Sequence, residues 1–217
     1  MIKVEDVCKI NGTQTVLNHV NLEVKKGTIT GIVGRNGSGK TVLFKSICGL
    51  IPIDGGIIMV NNQVSGQDLE IPKNIGVIIE TPGFLPNYSG YKNLHYLAKI
   101  QNRIGKDDII RTLETVGLDP YSKKHVSKYS LGMRQRLGIA QAIMENPDIL
   151  VLDEPMNGLD KDGVKEIREL LLRWKDEGKT MIIASHAAED IDILCDDVWE
   201  MDKGIATRVR LGIVLYF

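Results

Sequence analysis

At 217 residues, 43% hydrophobic and 25% charged, the chain has enough material to bury one sizeable core as a single domain, with room for a subdomain. A formal net charge of -1 gives no global reason to expect a nucleic-acid partner. No apolar run approaches the roughly 20 residues that span a bilayer, and the opening MIKVEDVCKI lacks the charged-then-apolar layout of a secretory signal, so a cytoplasmic location is expected.

In chain order, VLNHVNLEV (16–24) and GGIIMVNNQVSG (55–66) read as an N-terminal antiparallel layer, with Asn61 and Asn62 suited to a hairpin turn. Between them TITGIVG (28–34) has the composition of a buried strand, and TVLFKSICGL (41–50) follows as an apolar helix. NIGVII (74–79) is a second buried strand. The β signals then stop. YKNLHYLAKIQ (91–101), KDDIIRTLETVG (106–117) and LGMRQRLGIAQAIM (131–144) carry apolar residues at helical spacing, which predicts a helical subdomain inserted at about 86–145. Pro147 ends it, and DILVLD (148–153) and TMIIAS (180–185) return to the sheet. RVRLGIVLYF (208–217) is expected to be a final strand against the antiparallel layer. The alternation predicts an α/β domain over 1–217 with a mostly parallel sheet. Cys8, Cys48 and Cys195 are odd in number and too far apart for a metal clip; they read as core or near-core residues in a reducing compartment.

GRNGSGKT, Gly34 to Thr41, fits the phosphate-binding loop pattern in its required context, after a strand and before a helix. Gly34, Gly37 and Gly39 let backbone N–H groups curl round a phosphate, with Arg35, Asn36 and Ser38 completing the loop and Val42 continuing into the helix. Lys40 would neutralise β- and γ-phosphate oxygens of ATP, and the Thr41 hydroxyl would hold Mg²⁺. Downstream, four apolar residues deliver Asp153 to the end of a buried strand, where a carboxylate organises Mg²⁺. Glu154, next to it, is placed to act as general base on a water.

These pieces resemble the nucleotide-binding subunit of an ATP-binding cassette (ABC) transporter over essentially the whole chain. That family's phosphate loop, Q-loop, signature, Walker B, D-loop and switch His are matched in order by GRNGSGKT, IIETPG, YSLGMRQR, ILVLDEP, NGLD and ASH. The resemblance implies a P-loop NTPase fold and an ATP sandwich between two head-to-tail subunits, as a homodimer or heterodimer. In it the signature residues Ser130, Leu131, Gly132 and Met133 would face the ATP of the opposing subunit. It also implies a γ-phosphate contact for His186, coupling between the two sites through Asp160, and a position for Glu80 near Mg²⁺. Arg134 and Arg136 read as a solvated helix face, favoured over direct contact with phosphate.

Three departures stand out. Leu131 and Met133 replace the Gly and Gln of many members, Glu80 replaces the usual Gln, and Asn11 stands where an aromatic residue usually stacks on adenine. The first two resemble the bacitracin-resistance and lantibiotic-immunity exporters; the third implies weak base discrimination. The resemblance implies an ATPase that powers a separate membrane-spanning permease subunit, held at the inner face of the cell membrane by that partner, for export of a peptide antibiotic or similar compound. A soluble ATPase of the same family that remodels RNA or DNA is the alternative. Such proteins usually carry two cassettes or long coiled coils, and this sequence has one cassette and no such heptad run. A third reading, an ATP-gated scaffold without catalysis, would be expected to lose Glu154.

Overall fold

Alternate residues along the central strands decide the architecture. In β7 (Ile149–Asp153), Ile149 and Val151 join one apolar cluster while Leu150 and Leu152 join another. β8 (Thr180–Ala184) divides in the same way, with Ile182 and Ala184 on the first side and Met181 and Ile183 on the second. A strand that buries both faces needs a cover on each, which is why these runs are continuously hydrophobic. The computed structural model, which describes residues 2–65, 72–80 and 83–209, supplies both covers.

The six-stranded sheet has the order β10-β9-β3-β8-β7-β6. β3 (Ile29–Val33), β6 (Ile75–Ile78), β7, β8 and β9 (Asp197–Asp202) are parallel, and β10 (Ile205–Val209) closes the edge antiparallel to β9. One face is covered by α1 (Lys40–Ile47) and by a four-stranded antiparallel sheet of order β2-β1-β4-β5, where Phe44, Ile47, Val4, Leu22 and Ile58 pack together. That sheet comprises β1 (Ile2–Asn11), β2 (Gln14–Val24), β4 (Gly55–Val60) and β5 (Gln63–Ser65), and the last two meet through Asn61 and Asn62, both with positive φ as the tight turn requires. The other face is covered by α5 (Lys161–Asp176) and α6 (Ala188–Leu194), which set Leu170, Leu171, Trp174, Ile191 and Leu194 against the sheet.

Between β6 and β7 the chain leaves the sheet for α2 (Gly90–Gln101), α3 (Lys106–Thr115), a single 3₁₀ turn at Val126–Lys128 and α4 (Leu131–Ile143). Their packed face comprises Leu94, Ile109, Leu113, Val126 and Leu137. The start of the C-terminal stretch, Arg208 and Val209, belongs to β10, which pairs with β9 and lies against β2 of the antiparallel sheet as expected; the expectation for 210–217 lies outside the described residues. The turn before β10 adds a hydrogen bond to that sheet, where the Asn18 amide donates to the Gly204 carbonyl at 2.9 Å. Cys48 and Cys195 are buried and Cys8 is half-buried. Burial pushes both buried thiols up to about 12, which leaves them protonated and inert.

Candidate functional site

The C-terminal ends of β3, β6 and β7 and the turn after β8 converge on one cleft of about 340 Å³, lined by residues of the phosphate loop together with Glu80, Asp153, Glu154 and His186. This is where a parallel sheet offers ligands a crevice. The loop between β3 and α1 is closed by backbone geometry that only glycine permits. Gly34 has φ 143°, and a Cβ on it would lie 2.2 Å from the Met201 carbonyl oxygen. Gly39, with φ 109°, passes the Val16 carbonyl so closely that a Cβ would sit 2.9 Å from it. As the residue preceding α1, Gly39 offers no side-chain cap, so the first-turn N–H groups of that helix remain available to an anion.

Lys40 is buried, and its Nζ donates to the Gly34 and Arg35 carbonyls at 2.6 and 3.0 Å. Loss of hydration lowers its pKa, against the opposing pull of the Glu154 and Asp153 carboxylates. Ser38 is also buried, and its Oγ has no hydrogen-bond partner. An orphaned hydroxyl and a lysine satisfied only by loop carbonyls are the features a phosphate group would complete. Thr41 Oγ1 donates to Asp153 Oδ2 at 2.9 Å, which brings the hydroxyl and carboxylate expected of an Mg²⁺ site together. One hydroxyl and one carboxylate are the few protein ligands that Mg²⁺ accepts alongside substrate phosphates and water.

Glu154 follows Asp153 with φ 51°, a left-handed conformation held by its own N–H donating to the Ala184 carbonyl at 2.9 Å. Its Oε2 accepts from the His186 amide at 3.4 Å, and its Oε1 lies 3.3 Å from His186 Nε2. That oxygen is buried and makes no aligned hydrogen bond, so the contact with the ring is one of proximity and charge. Burial is the main cause that raises the Glu154 carboxyl above the usual carboxylate range; the nearby Asp153 adds to it, while His186 and Lys40 oppose it. The His186 turn is itself fixed from below. Ser185 Oγ accepts from the Ala187 amide at 3.2 Å and donates to Asp190 Oδ2 at 2.8 Å, and Asp190 is gripped by Arg168.

Glu80 also has a left-handed backbone, φ 59°, and reaches the cleft from the end of β6. Its carboxylate pairs with Lys45 Nζ at 2.9 Å, a partner the sequence reading did not include, one turn beyond Thr41 on α1. Asp160 caps α5, its Oδ1 accepting from the Gly163 amide at 2.9 Å. Ser130 caps α4 in the same manner, accepting from the Met133 amide at 3.1 Å. Leu131, Arg134 and Gln135 line the cleft; Ser130, Gly132 and Met133 are not among its lining residues, Ser130 being exposed and the other two half-buried. Asn11 is exposed at the end of β1, and the neighbouring residue that lines the cleft is Val16.

Arg136 corrects the sequence reading. Instead of a solvated helix face, its side chain is only 16% exposed and its guanidinium donates to the Val116 carbonyl and to Glu166 Oε2, both at 2.7 Å. It clamps α4 to the end of α3 and to α5. The fork of the guanidinium suits two acceptors at once, which a periodicity argument does not register. Arg134 is exposed, as expected, and reaches only the Ser127 carbonyl at 3.4 Å.

The ABC transporter family matches residues 17–157, from β2 to the loop after β7. An uncharacterized ABC transporter ATP-binding protein of Bacillus subtilis is 45% identical over 94% of both chains. The chain belongs to the ABC transporter family. Among its relatives, the bacitracin transport ATP-binding protein BcrA of Enterococcus faecalis is 43% identical over 94% of this chain and 67% of its own length. The lantibiotic transport ATP-binding protein SrtF of Streptococcus pyogenes is 38% identical over 94% of this chain and 88% of its own. In fold, the chain is similar to a dimeric ATP-binding cassette in a post-hydrolysis state bound to ADP and Pi, with a TM-score of 0.85 over 97% of this chain and 99% of the other at 21% identity. Membership makes this chain an ATP-binding, ATP-hydrolysing subunit of the ABC type. Among the described residues no helix is long and apolar enough to cross a membrane.

Proposed function

We propose that this ABC subunit hydrolyses ATP through Glu154 and uses the cycle to drive export of a peptide antibiotic or a compound of that class through a separate membrane-spanning permease. The subunit then works on the cytoplasmic face of the membrane, held there by the permease and paired head to tail with a second nucleotide-binding subunit. The peptide-antibiotic class rests on the bacitracin and lantibiotic transport relatives.

The observation that carries the chemistry is the position of Glu154: at the end of a buried strand, in left-handed backbone, 3.3 Å from His186 and in one cleft with Lys40 and Thr41. The loop amides of 34–41, Ser38 Oγ and Lys40 hold the phosphates of ATP. In doing so Lys40 exchanges its two loop carbonyls for phosphate oxygens, a stronger charge-assisted pairing. Thr41 and Asp153 would hold Mg²⁺, which when bound would polarise the phosphate oxygens and offset their charge. Glu154 accepts a proton from the attacking water, and the same burial that lifts its pKa makes the carboxylate a better base than an exposed one. The His186 amide and ring hold the Glu154 carboxylate, and the ring, which lines the same cleft, would contact the γ-phosphate.

Replacing the base while keeping its shape tests this. Glu154→Gln should bind ATP with little change while steady-state hydrolysis falls by roughly 10²-fold or more. The variant should also accumulate as an ATP-bound dimer. Turnover near the unmodified level would remove Glu154 from the role.

A further inference from the structure

α4 does two things at opposite ends of one turn. Its first residues, Ser130 to Met133, form the signature end, whereas Gln135 turns inward. Gln135 Nε2 donates to the Glu154 carbonyl at 3.1 Å and to the Pro155 carbonyl at 3.0 Å. Two acceptors at one nitrogen fix which end of the amide faces the loop. The Glu154 carbonyl also receives the Asn157 amide at 3.1 Å, so the backbone of the proposed base is held on three sides, counting its own N–H on Ala184.

The signature end is pressed onto the same loop. A Cβ on Gly158 would fall 2.3 Å from Leu131 Cγ, and one on Gly132 would fall 2.9 Å from the Gly158 carbonyl oxygen. Closely packed parts of this kind have no slack, so a shift of the 154–158 loop is passed to the start of α4.

We propose that Gln135 is a positioning residue that ties the Glu154 of a subunit's own site to the signature end of α4, which that subunit presents to the opposite site. The proposal rests on the head-to-tail reading given above. Each subunit thereby carries a direct link between two ATP sites: the donor pair at Gln135 senses the backbone of one base and sets the helix that closes over the other nucleotide.

Mixed dimers carrying different tags on their two subunits test it. The reference dimer has Glu154→Gln in one subunit and an unmodified partner, so a single base remains, in the partner. The test dimer adds Gln135→Met to the Glu154→Gln subunit; Met keeps the length of the side chain and donates nothing. The remaining base and its Gln135 are untouched, and only the signature end facing that ATP belongs to the altered subunit. The expected result is a fall in turnover of about fivefold or more relative to the reference dimer, with ATP affinity within about twofold, the scale of a modest coupling between sites. Equal turnover in the two mixed dimers, with Glu154→Gln in both subunits abolishing activity, overturns the link and leaves the site reading intact. Persistent activity with Glu154→Gln in both subunits overturns the site reading and the link together. Should Gln135→Met fail to fold, Gln135→Lys restores a donor and carries the reverse expectation, turnover within about twofold of the reference; a larger loss in that dimer also overturns the proposal.

Discussion

The phosphate loop and the signature end lie in one cleft and are built in opposite ways. Residues 34–41 take their shape mainly from their own glycines and from the helix they open, with Lys40 donating to carbonyls five and six residues back and Thr41 alone sending a side-chain bond far along the chain, to Asp153. Residues 130–136 take their place from distant parts of the chain. Gln135 reaches loop carbonyls 19 and 20 residues on, and Arg136 reaches Val116 and Glu166, 20 residues before it and 30 after. One half of the site is therefore mainly a local motif and the other mainly a set of tertiary contacts. A loop whose shape is its own tolerates change elsewhere but not within, while a helix end held from outside responds to substitutions far from any nucleotide.

Gly34→Ala strikes the local half at its tightest point. With φ 143° and a carbonyl oxygen 2.2 Å from the added methyl, the loop has no relaxed conformation to adopt. A loss of about 3 kcal/mol in stability and no measurable ATP binding are expected. Thermal unfolding and nucleotide titration check both; wild-type ATP binding would show that the loop is less rigid than its geometry implies.

Arg136→Ala is the matching blow to the other half. It leaves the Val116 carbonyl and Glu166 without their donor, and about 2 kcal/mol of stability should go. ATP affinity of the single subunit should stay within about twofold, because no phosphate contact is lost. Denaturant unfolding alongside nucleotide titration separates the two readouts, and a loss of affinity without a loss of stability would assign Arg136 to the phosphates instead.

Glu80 lines the same cleft, with its side chain 63% exposed and its carboxylate paired with Lys45. An exposed pair is worth about 0.5 kcal/mol, so Glu80→Ala should barely change stability or ATP affinity. Its expected effect is on permease-stimulated hydrolysis in reconstituted membranes, where Glu80→Gln should be milder. Unchanged stimulation would reduce Glu80 to a surface partner of Lys45.

The smallest effect is a pH dependence. The folded pKa of Glu154 is raised, chiefly by burial, so the folded state gains a proton more readily than the unfolded one. At pH values above both pKa values the ionised side chain destabilises the nucleotide-free fold, and the penalty fades as pH falls through the raised folded pKa. Glu154→Gln should accordingly melt a degree or two higher than the unmodified subunit at neutral pH, with the gap closing on acidification. A gap that widens on acidification would mean that Glu154 is held ionised by its neighbours.

What was legible in the sequence follows the same division. The strand before the loop, the loop itself and the apolar strand that ends in Asp153 announce themselves within a few residues, because they need adjacent residues of particular size, charge or conformational freedom. Arg136 was misread because its acceptors are a carbonyl, which no side-chain pattern reveals, and an acid on a helix to which the reading assigned no element. That helix, 161–176, did carry a signal: Ile167, Leu170, Leu171 and Trp174 are spaced along one face and all are buried. Lys45 could have been found from its place four residues after Thr41 on the same helix. Its pairing with a residue 35 positions away could not, since exposed ion pairs depend on which loops the fold brings alongside.

Glu80 and Glu154 follow neighbouring parallel strands and share an unusual backbone, φ 59° and φ 51°, in which a residue with a Cβ sits about 1 kcal/mol higher than it would in the common right-handed region. Glycine would relieve most of that at either position. A laboratory selection for heat resistance alone would then be drawn towards glycine at both sites, and it would arrive at a sturdier protein from which the two acids of the cleft had been removed. Folding alone does not call for a carboxylate at either place, and what the two acids share is the cleft at the ends of two adjacent strands.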